Sequence, residues 1–136
     1  MNARAKPYAK TTFLNVDLDI SSREDLASLA EAFRPRLIAL HVGRLRQEYW
    51  ARFELRTQPD NPNVAIRRLV SAIEKLPVRQ RARWKRAATR DFNIGIQAAE
   101  EPRHSEFVVD PATAIMVGRV GARIVITVYG AALSKA

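Results

Sequence analysis

A row of arginines in the middle of the chain is the feature best suited to chemistry with anions. Arg79, Arg83, Arg86 and Arg90 have i, i+4, i+7 and i+11 spacing, which places them along one face of a helix. A guanidinium group offers a fork of N–H donors that matches phosphate oxygens, so the row could follow a nucleic-acid backbone. Such rows also bind acidic proteins or anionic membranes, and the simplest alternative is a solvated helix face.

The basic character of the chain is concentrated around this row. Residues 64–90 hold nine basic side chains and one acidic side chain, in a protein of net charge +9. The residues predicted to contact an anion or nucleic acid are Arg67, Arg68, Lys75, Arg79, Arg83, Arg86 and Arg90. Trp84 lies within the segment but faces alanines, which favours packing over base stacking. The sequence contains no helix-turn-helix, zinc-finger or RNP motif.

Carboxylates on neighbouring strands are the second group that could do chemistry. Asp17 and Asp19 share one face of a predicted strand, about 7 Å apart, and Glu54 and His41 lie on other predicted strands. These residues could form a hydrolytic or metal site. Carboxylates two residues apart are common on polar strand faces, however, and no helical ligand spacing accompanies them. We therefore predict no metal, and a hydrolase using Asp17, Asp19 and Glu54 is the weakest alternative.

Nucleophilic catalysis has little support in the sequence. The chain has no cysteine, and its two histidines are His41, inside an apolar strand, and His104, in a turn. Neither a Gly-x-Ser-x-Gly motif nor a glycine-rich phosphate-binding loop is present. We predict no catalytic residue and no cofactor, and we expect the protein not to be an enzyme.

Alternating and helical patterns indicate the elements that position these residues. The predicted order is βαββ–αα–ββαβ, an α+β single domain over residues 12–130, with tails at 1–11 and 131–136. About six strands would form a mixed or antiparallel sheet with helices mainly on one face. The pattern places a helix after Ser21 or Ser22, another helix from Val78 to Thr89, and a strand from Ser105 to Val109. The strands near the chain ends could leave an edge free for pairing.

One face of this sheet is predicted to be polar and uncovered, because most strands alternate apolar with polar residues. Its mixed charges and hydrogen-bonding groups would suit a specific protein or small-ligand contact. The predicted residues of this open sheet face are Asn15, Asp17, Asp19, Arg52, Glu54, Arg56, Asn93, Gln97, Thr127 and Tyr129.

The last part of the chain resembles a group of small bacterial α+β proteins classed as domains of unknown function. The resemblance covers residues 64–130 and rests on Leu76-Pro77, the sequence FVVDP at 107–111, and the sequence VGARIVITVY at 120–129. These give a capped helix, a glycine turn and a closing strand that ends in tyrosine. Some such proteins lie near toxin-immunity genes, so the resemblance implies an immunity-type role. It carries over no functional residue.

These observations predict a small cytoplasmic binding protein rather than an enzyme. The N-terminus lacks the apolar run of a signal peptide, and no segment is apolar enough to span a membrane. A protein partner held by the open sheet face or by the arginine row is the first expectation. Sequence-nonspecific nucleic-acid binding through residues 67–90 is the alternative.

Overall fold

Four helices pack on one face of a five-stranded mixed sheet in the computed structural model, which describes residues 10–131. The strands are β1 (Thr12–Ser22), β2 (Leu37–Leu45), β3 (Glu48–Leu55), β4 (Thr89–Gln97) and β5 (Arg123–Tyr129). The helices are α1 (Ala27–Phe33), α2 (Pro62–Glu74), α3 (Val78–Arg86) and α4 (Pro111–Arg119). This confirms a single α+β domain with a mixed sheet. Most of the two predicted tails lies outside the described residues.

The strand order in the sheet is β2-β3-β1-β4-β5. β2 and β3 form an antiparallel hairpin, and central β1 pairs antiparallel with both β3 and β4. β5 is parallel to β4, which it follows through α4 in a β–α–β connection. The two edge strands are therefore β2 and β5. Among the described residues no helix is long and apolar enough to cross a bilayer.

The core lies between the sheet and the helices. Alternate residues of β1, namely Val16, Leu18 and Ile20, are completely buried there. Each buried aliphatic side chain of this kind contributes about 1.5–3 kcal/mol. Phe53 of β3 packs against Phe33 of α1, with ring centroids 5.0 Å apart. The alternation in the sequence therefore identified the buried face of these strands.

The prediction of a sixth strand at Ser105–Val109 is wrong. Both sides of β4 are already occupied, by β1 and β5, so this segment cannot form a hairpin with β4. The segment leads instead from the end of β4 to the start of α4. The side chain of Asn63 forms hydrogen bonds with backbone groups there. The Asn63 Nδ2 group donates to the Val108 carbonyl (2.7 Å), and the Asp110 N–H donates to the Asn63 Oδ1 atom (2.9 Å).

Two helix boundaries also differ from the sequence prediction. Ser21 and Ser22 belong to β1, and α1 begins only at Ala27, whose N–H donates to the Asp25 carboxylate. The arginine-rich helix ends at Arg86 instead of Thr89.

The start and end of α4 agree with the prediction. Asp110 accepts a hydrogen bond from the Thr113 N–H (2.9 Å), and Pro111 begins the helix. Gly121 has a φ of 71°, the left-handed conformation that ends many helices. This turn directs the chain into β5.

Candidate functional site

The open sheet face carries the carboxylates of β1 in the arrangement that the alternation predicted. Asp19 receives two hydrogen bonds from Arg52 on β3, from Nε (2.7 Å) and from Nη2 (3.3 Å). Asn93 of β4 donates to the same carboxylate from the other side (3.4 Å). Thr127 of β5 in turn donates to the Asn93 side-chain oxygen (2.8 Å). Polar side chains from four strands thus form one connected network.

Asp17 is the group on this face whose ionisation is most perturbed. Partial burial raises the pKa of Asp17 to about 6, and the nearby carboxylates of Asp19 and Glu54 add to the rise, while Arg52 opposes it. Asn15 donates to the Asp17 carboxylate at 3.4 Å. The Asp17 carboxyl group, which lies on the open sheet face, therefore takes up and releases its proton near pH 6.

Aromatic side chains extend the open sheet face toward β2. The rings of His41 and Trp50 lie 4.4 Å apart, and the Arg52 guanidinium lies 5.2 Å from the Trp50 ring. Arg52 thus contacts both a carboxylate and an aromatic ring. Most polar groups on this face are hydrogen-bonded to one another.

Two predicted members of the open sheet face have other positions or roles. Arg56 follows the end of β3, where it donates to the Arg34 carbonyl; the prediction that it lies on the open sheet face is wrong. Gln97 is at the far end of β4 and donates to the carbonyls of Tyr129 and Gly130. Tyr129 itself is exposed.

The residues of the predicted arginine row are held in different ways. Arg86 forms a bidentate ion pair with Glu24 (2.8 and 3.0 Å), a hydrogen bond that lowers the pKa of Glu24. Arg83 donates to the Ser28 hydroxyl (2.8 Å), and Arg67 donates to a carbonyl of its own helix (3.3 Å). Together with Arg90, four of the seven predicted anion contacts bond to neighbouring groups of the protein.

Arg90 is not part of a helical row, because it lies in β4 on the same side of the sheet as the helices. Its Nε donates to the Gly121 carbonyl (2.8 Å), and its Nη1 lies 2.9–3.1 Å from the carbonyls of Trp84, Lys85 and Ala87. Arg90 therefore joins the end of α3 to the turn before β5. Its role in the described structure is to satisfy backbone carbonyls.

Trp84 is buried, as its sequence neighbours predicted. Its indole N–H donates to the Val120 carbonyl (2.8 Å), which ties α3 to the end of α4. A tryptophan in this position is unavailable to stack on a base. Of the predicted contacts, three remain as exposed side chains: Arg68 on α2, Lys75 at the C-cap of α2, and Arg79 on α3.

An apolar stripe on β5 is a surface feature that the sequence analysis did not identify, although it expected that the strands near the chain ends could leave an edge free. We define the β5 stripe as Ile124, Ile126 and Val128, which share the side of the sheet that packs against the helices. The helix layer covers them only in part, and they are 38%, 60% and 59% exposed. The β-branched alternation marked this strand as half-buried. Only the strand order shows that it is an edge whose apolar side is uncovered.

No group of three or more metal-ligating side chains occurs between residues 10 and 131. No protein-family model matches the chain, and neither a curated protein nor a solved structure is significantly similar to it. The resemblance of residues 64–130 to immunity-type proteins therefore stays a prediction. Any functional conclusion must come from the surfaces of the molecule itself.

Proposed function

We propose that this protein is a small, non-enzymatic protein-binding module that works by strand addition at β5, and that its first partner is a second copy of itself. The observation that carries the proposal is the β5 stripe on an edge strand. Exposed aliphatic side chains beside unpaired backbone groups are the usual components of a strand-addition interface. The cytoplasm of a bacterial cell is the proposed setting, and the cysteine-free chain needs no oxidising compartment.

The contrast between the two edge strands supports this choice of interface. β2 carries features that discourage pairing: a bulge between Ala39 and His41 and the exposed charge of Arg44. β5 is regular over its seven residues, and its one charge, Arg123, is held in a bidentate ion pair with Asp91 (2.8 and 2.9 Å). β5 therefore has little to prevent another strand from pairing with it.

The sequence of β5 is suited to pairing with itself. In an antiparallel arrangement centred on Ile126, Ile124 would face Val128 of the second copy, and Arg123 would face Tyr129 of the second copy. The apolar pairs would lie on one face, the Arg–Tyr pairs would lie on the other, and no like charges would meet. This register uses all seven residues of the strand, and it would join the two sheets into one of ten strands.

Self-association is the measurement that tests the proposal. We expect sedimentation equilibrium to give a mass approaching twice 15.4 kDa as the concentration rises through the micromolar range. Ile126→Lys should leave a monomer, because it places a charge at the centre of the apolar pairing. The matched control is Ile115→Lys on α4, since Ile115 is 57% exposed and is not on β5.

Both variants should retain the circular dichroism spectrum of the natural protein, because both side chains are exposed. A natural protein that stays monomeric at hundreds of micromolar would overturn the proposed function. Equal loss of association in the Ile115 and Ile126 variants would show that general charge repulsion, and not the β5 edge, controls association.

Nucleic-acid binding through residues 67–90 is the less supported proposal. Four of the basic residues are bonded to groups of the protein: Arg67, Arg83, Arg86 and Arg90. Fewer arginines are therefore available to contact successive phosphates in a continuous row. Fluorescence anisotropy with labelled RNA across a salt series tests it. A backbone-tracking protein would show a slope of about −0.7 per phosphate contact in log K against log salt.

A further inference from the structure

A cleft of about 300 Å³ lies between α2 and the adjoining ends of β2 and β3. Four basic side chains line it, and we call it the basic cleft: Arg36, Arg56, Arg68 and Lys75. It is at the β2 side of the sheet, away from β5, so it is independent of the proposed protein interface. Arg36 and Arg56 were not among the anion contacts predicted from the sequence.

The fold explains why these four charges meet. Leu37 and Leu55 pair across β2 and β3, so the residues beside them, Arg36 and Arg56, lie at the same end of the hairpin. Arg68 is on α2 and Lys75 is the C-cap residue of that helix, seven residues later, which puts them on the same side of α2 about two turns apart. A hairpin end and a helix face thus supply two cations each.

The charge balance of the basic cleft is one-sided. No acidic residue lines it. Elsewhere in residues 10–131, Arg34, Arg52, Arg86 and Arg123 form the ion pairs of the structure, and the four cleft residues form none. Arg56 keeps its charge but donates one hydrogen bond to the Arg34 carbonyl. Four like charges around one opening repel each other, so a bound anion would relieve that repulsion as well as gain hydrogen bonds.

The remaining lining residues define the kind of anion. The hydroxyls of Ser71 and Thr57 add two neutral donors beside the guanidinium groups. Guanidinium forks with hydroxyls are the donors that a phosphate group uses best. The buried side chains of Leu37, Leu55 and Ala72 give the cleft an apolar floor, against which a small carbon skeleton could pack.

We propose that the basic cleft binds the phosphate group of a small phosphomonoester. Its volume is at the lower end of the range for small-molecule sites, which fits a phosphate with a few attached carbons. Its four basic residues border one concavity instead of following a line, as a nucleic-acid backbone would require. The ligand class is thus a phosphorylated small molecule rather than a polymer.

Isothermal titration calorimetry in physiological salt tests this assignment. The ligands are inorganic phosphate, glycerol phosphate, glycerol without phosphate, and a single-stranded RNA of ten nucleotides. We expect saturable one-site binding of glycerol phosphate, weaker binding of inorganic phosphate, and no binding of glycerol. Arg68→Gln and Lys75→Gln should each weaken the affinity for glycerol phosphate at least about tenfold, because each removes a charge-assisted hydrogen bond.

Two control variants make the result specific. Lys85→Gln removes an exposed charge of α3 outside the cleft, and Ile126→Lys changes the β5 stripe; both should bind glycerol phosphate like the natural protein. Absence of saturable phosphomonoester binding would overturn the proposal. Equal weakening by Lys85→Gln would also overturn it, because the affinity would then come from diffuse charge. Binding of the RNA without binding of glycerol phosphate would also overturn the proposal, because the basic residues would then belong to a nucleic-acid-binding surface.

Discussion

Arg90 shows how one side chain of the basic segment can serve the fold instead of a ligand. Its guanidinium group reaches four backbone carbonyls at the junction of α3, α4 and β4. A helix end leaves carbonyl groups without partners inside the helix, and the two N–H groups of Arg90 Nη1 are shared among the carbonyls of Trp84, Lys85 and Ala87 at the end of α3. The planar fork does this better than a lysine ammonium, which is a single point charge.

We predict that Arg90→Lys, which keeps the charge, lowers the free energy of unfolding by about 1–3 kcal/mol. The matched control is Arg79→Lys on the exposed side of α3, which should change stability by less than about 0.5 kcal/mol. Urea denaturation followed by circular dichroism measures both. Equal stability of Arg90→Lys and the natural protein would mean that the carbonyl contacts contribute nothing.

The Asp17 carboxylate makes stability depend on pH in an unusual direction. Its folded pKa of about 6 is above the unfolded value of 3.8, so the folded protein holds more protons between these values. The contribution of Asp17 to the free energy of unfolding is therefore fully present at low pH, and it is lost as the pH rises from about 4 to 6. The ordinary acidic group, whose pKa is lowered by folding, has the opposite effect.

We predict that Asp17→Asn stabilises the protein at pH 7 by about 1 kcal/mol, after allowance for solvent screening at this half-exposed site. The difference between the variant and the natural protein should vanish near pH 4, where Asp17 is protonated in the folded state. Denaturation curves at several values between pH 4 and pH 8 measure it. A difference that does not change with pH would contradict the assigned pKa.

At the scale of elements, the segment between β4 and α4 is held by a side chain where a strand was expected. Asn63 is buried, and it satisfies both the Val108 carbonyl and the Asp110 N–H. These bonds position the residue that caps α4, and α4 in turn leads into β5. The placement of the edge strand thus depends partly on an amide at the start of α2.

We predict that Asn63→Ala lowers the free energy of unfolding by about 1–3 kcal/mol, because it leaves buried backbone groups without partners. Hydrogen exchange of the Asp110 amide gives the direct measurement and should become much faster. Asn15→Ala on the open sheet face is the control, since the Asn15 side chain makes one long hydrogen bond. Unchanged Asp110 exchange in Asn63→Ala would show that the segment is held by other contacts.

At the scale of the whole molecule, the two proposed surfaces lie at opposite edges of the sheet. The β5 stripe is at one end of the strand order, and the basic cleft is beside β2 and β3 at the other. In a dimer paired through β5, the two basic clefts would therefore lie at the outer ends of a ten-stranded sheet. Neither surface would obstruct the other, so each can be tested in a variant that alters the other.

Local patterns in the sequence were sufficient for much of the fold. The alternation of Val16, Leu18 and Ile20 with polar residues identified the buried face of β1, and Asp110-Pro111 and Gly121 correctly bounded α4. Asp17, Asp19 and Arg52 were correctly placed on one open sheet face. These features depend on neighbours within a few residues, where side-chain periodicity and capping chemistry act directly.

The tertiary structure alone decided which surfaces are available to a partner. Helical spacing could align Arg79, Arg83 and Arg86, but it could not show that Glu24 and Ser28 would meet two of them. The pattern of β5 predicted a half-buried strand, whereas its position at the sheet edge leaves the apolar side exposed. The basic cleft joins residues up to 39 positions apart, Arg36 and Lys75. Such contacts arise from strand order and packing, because these bring together side chains that no local period relates.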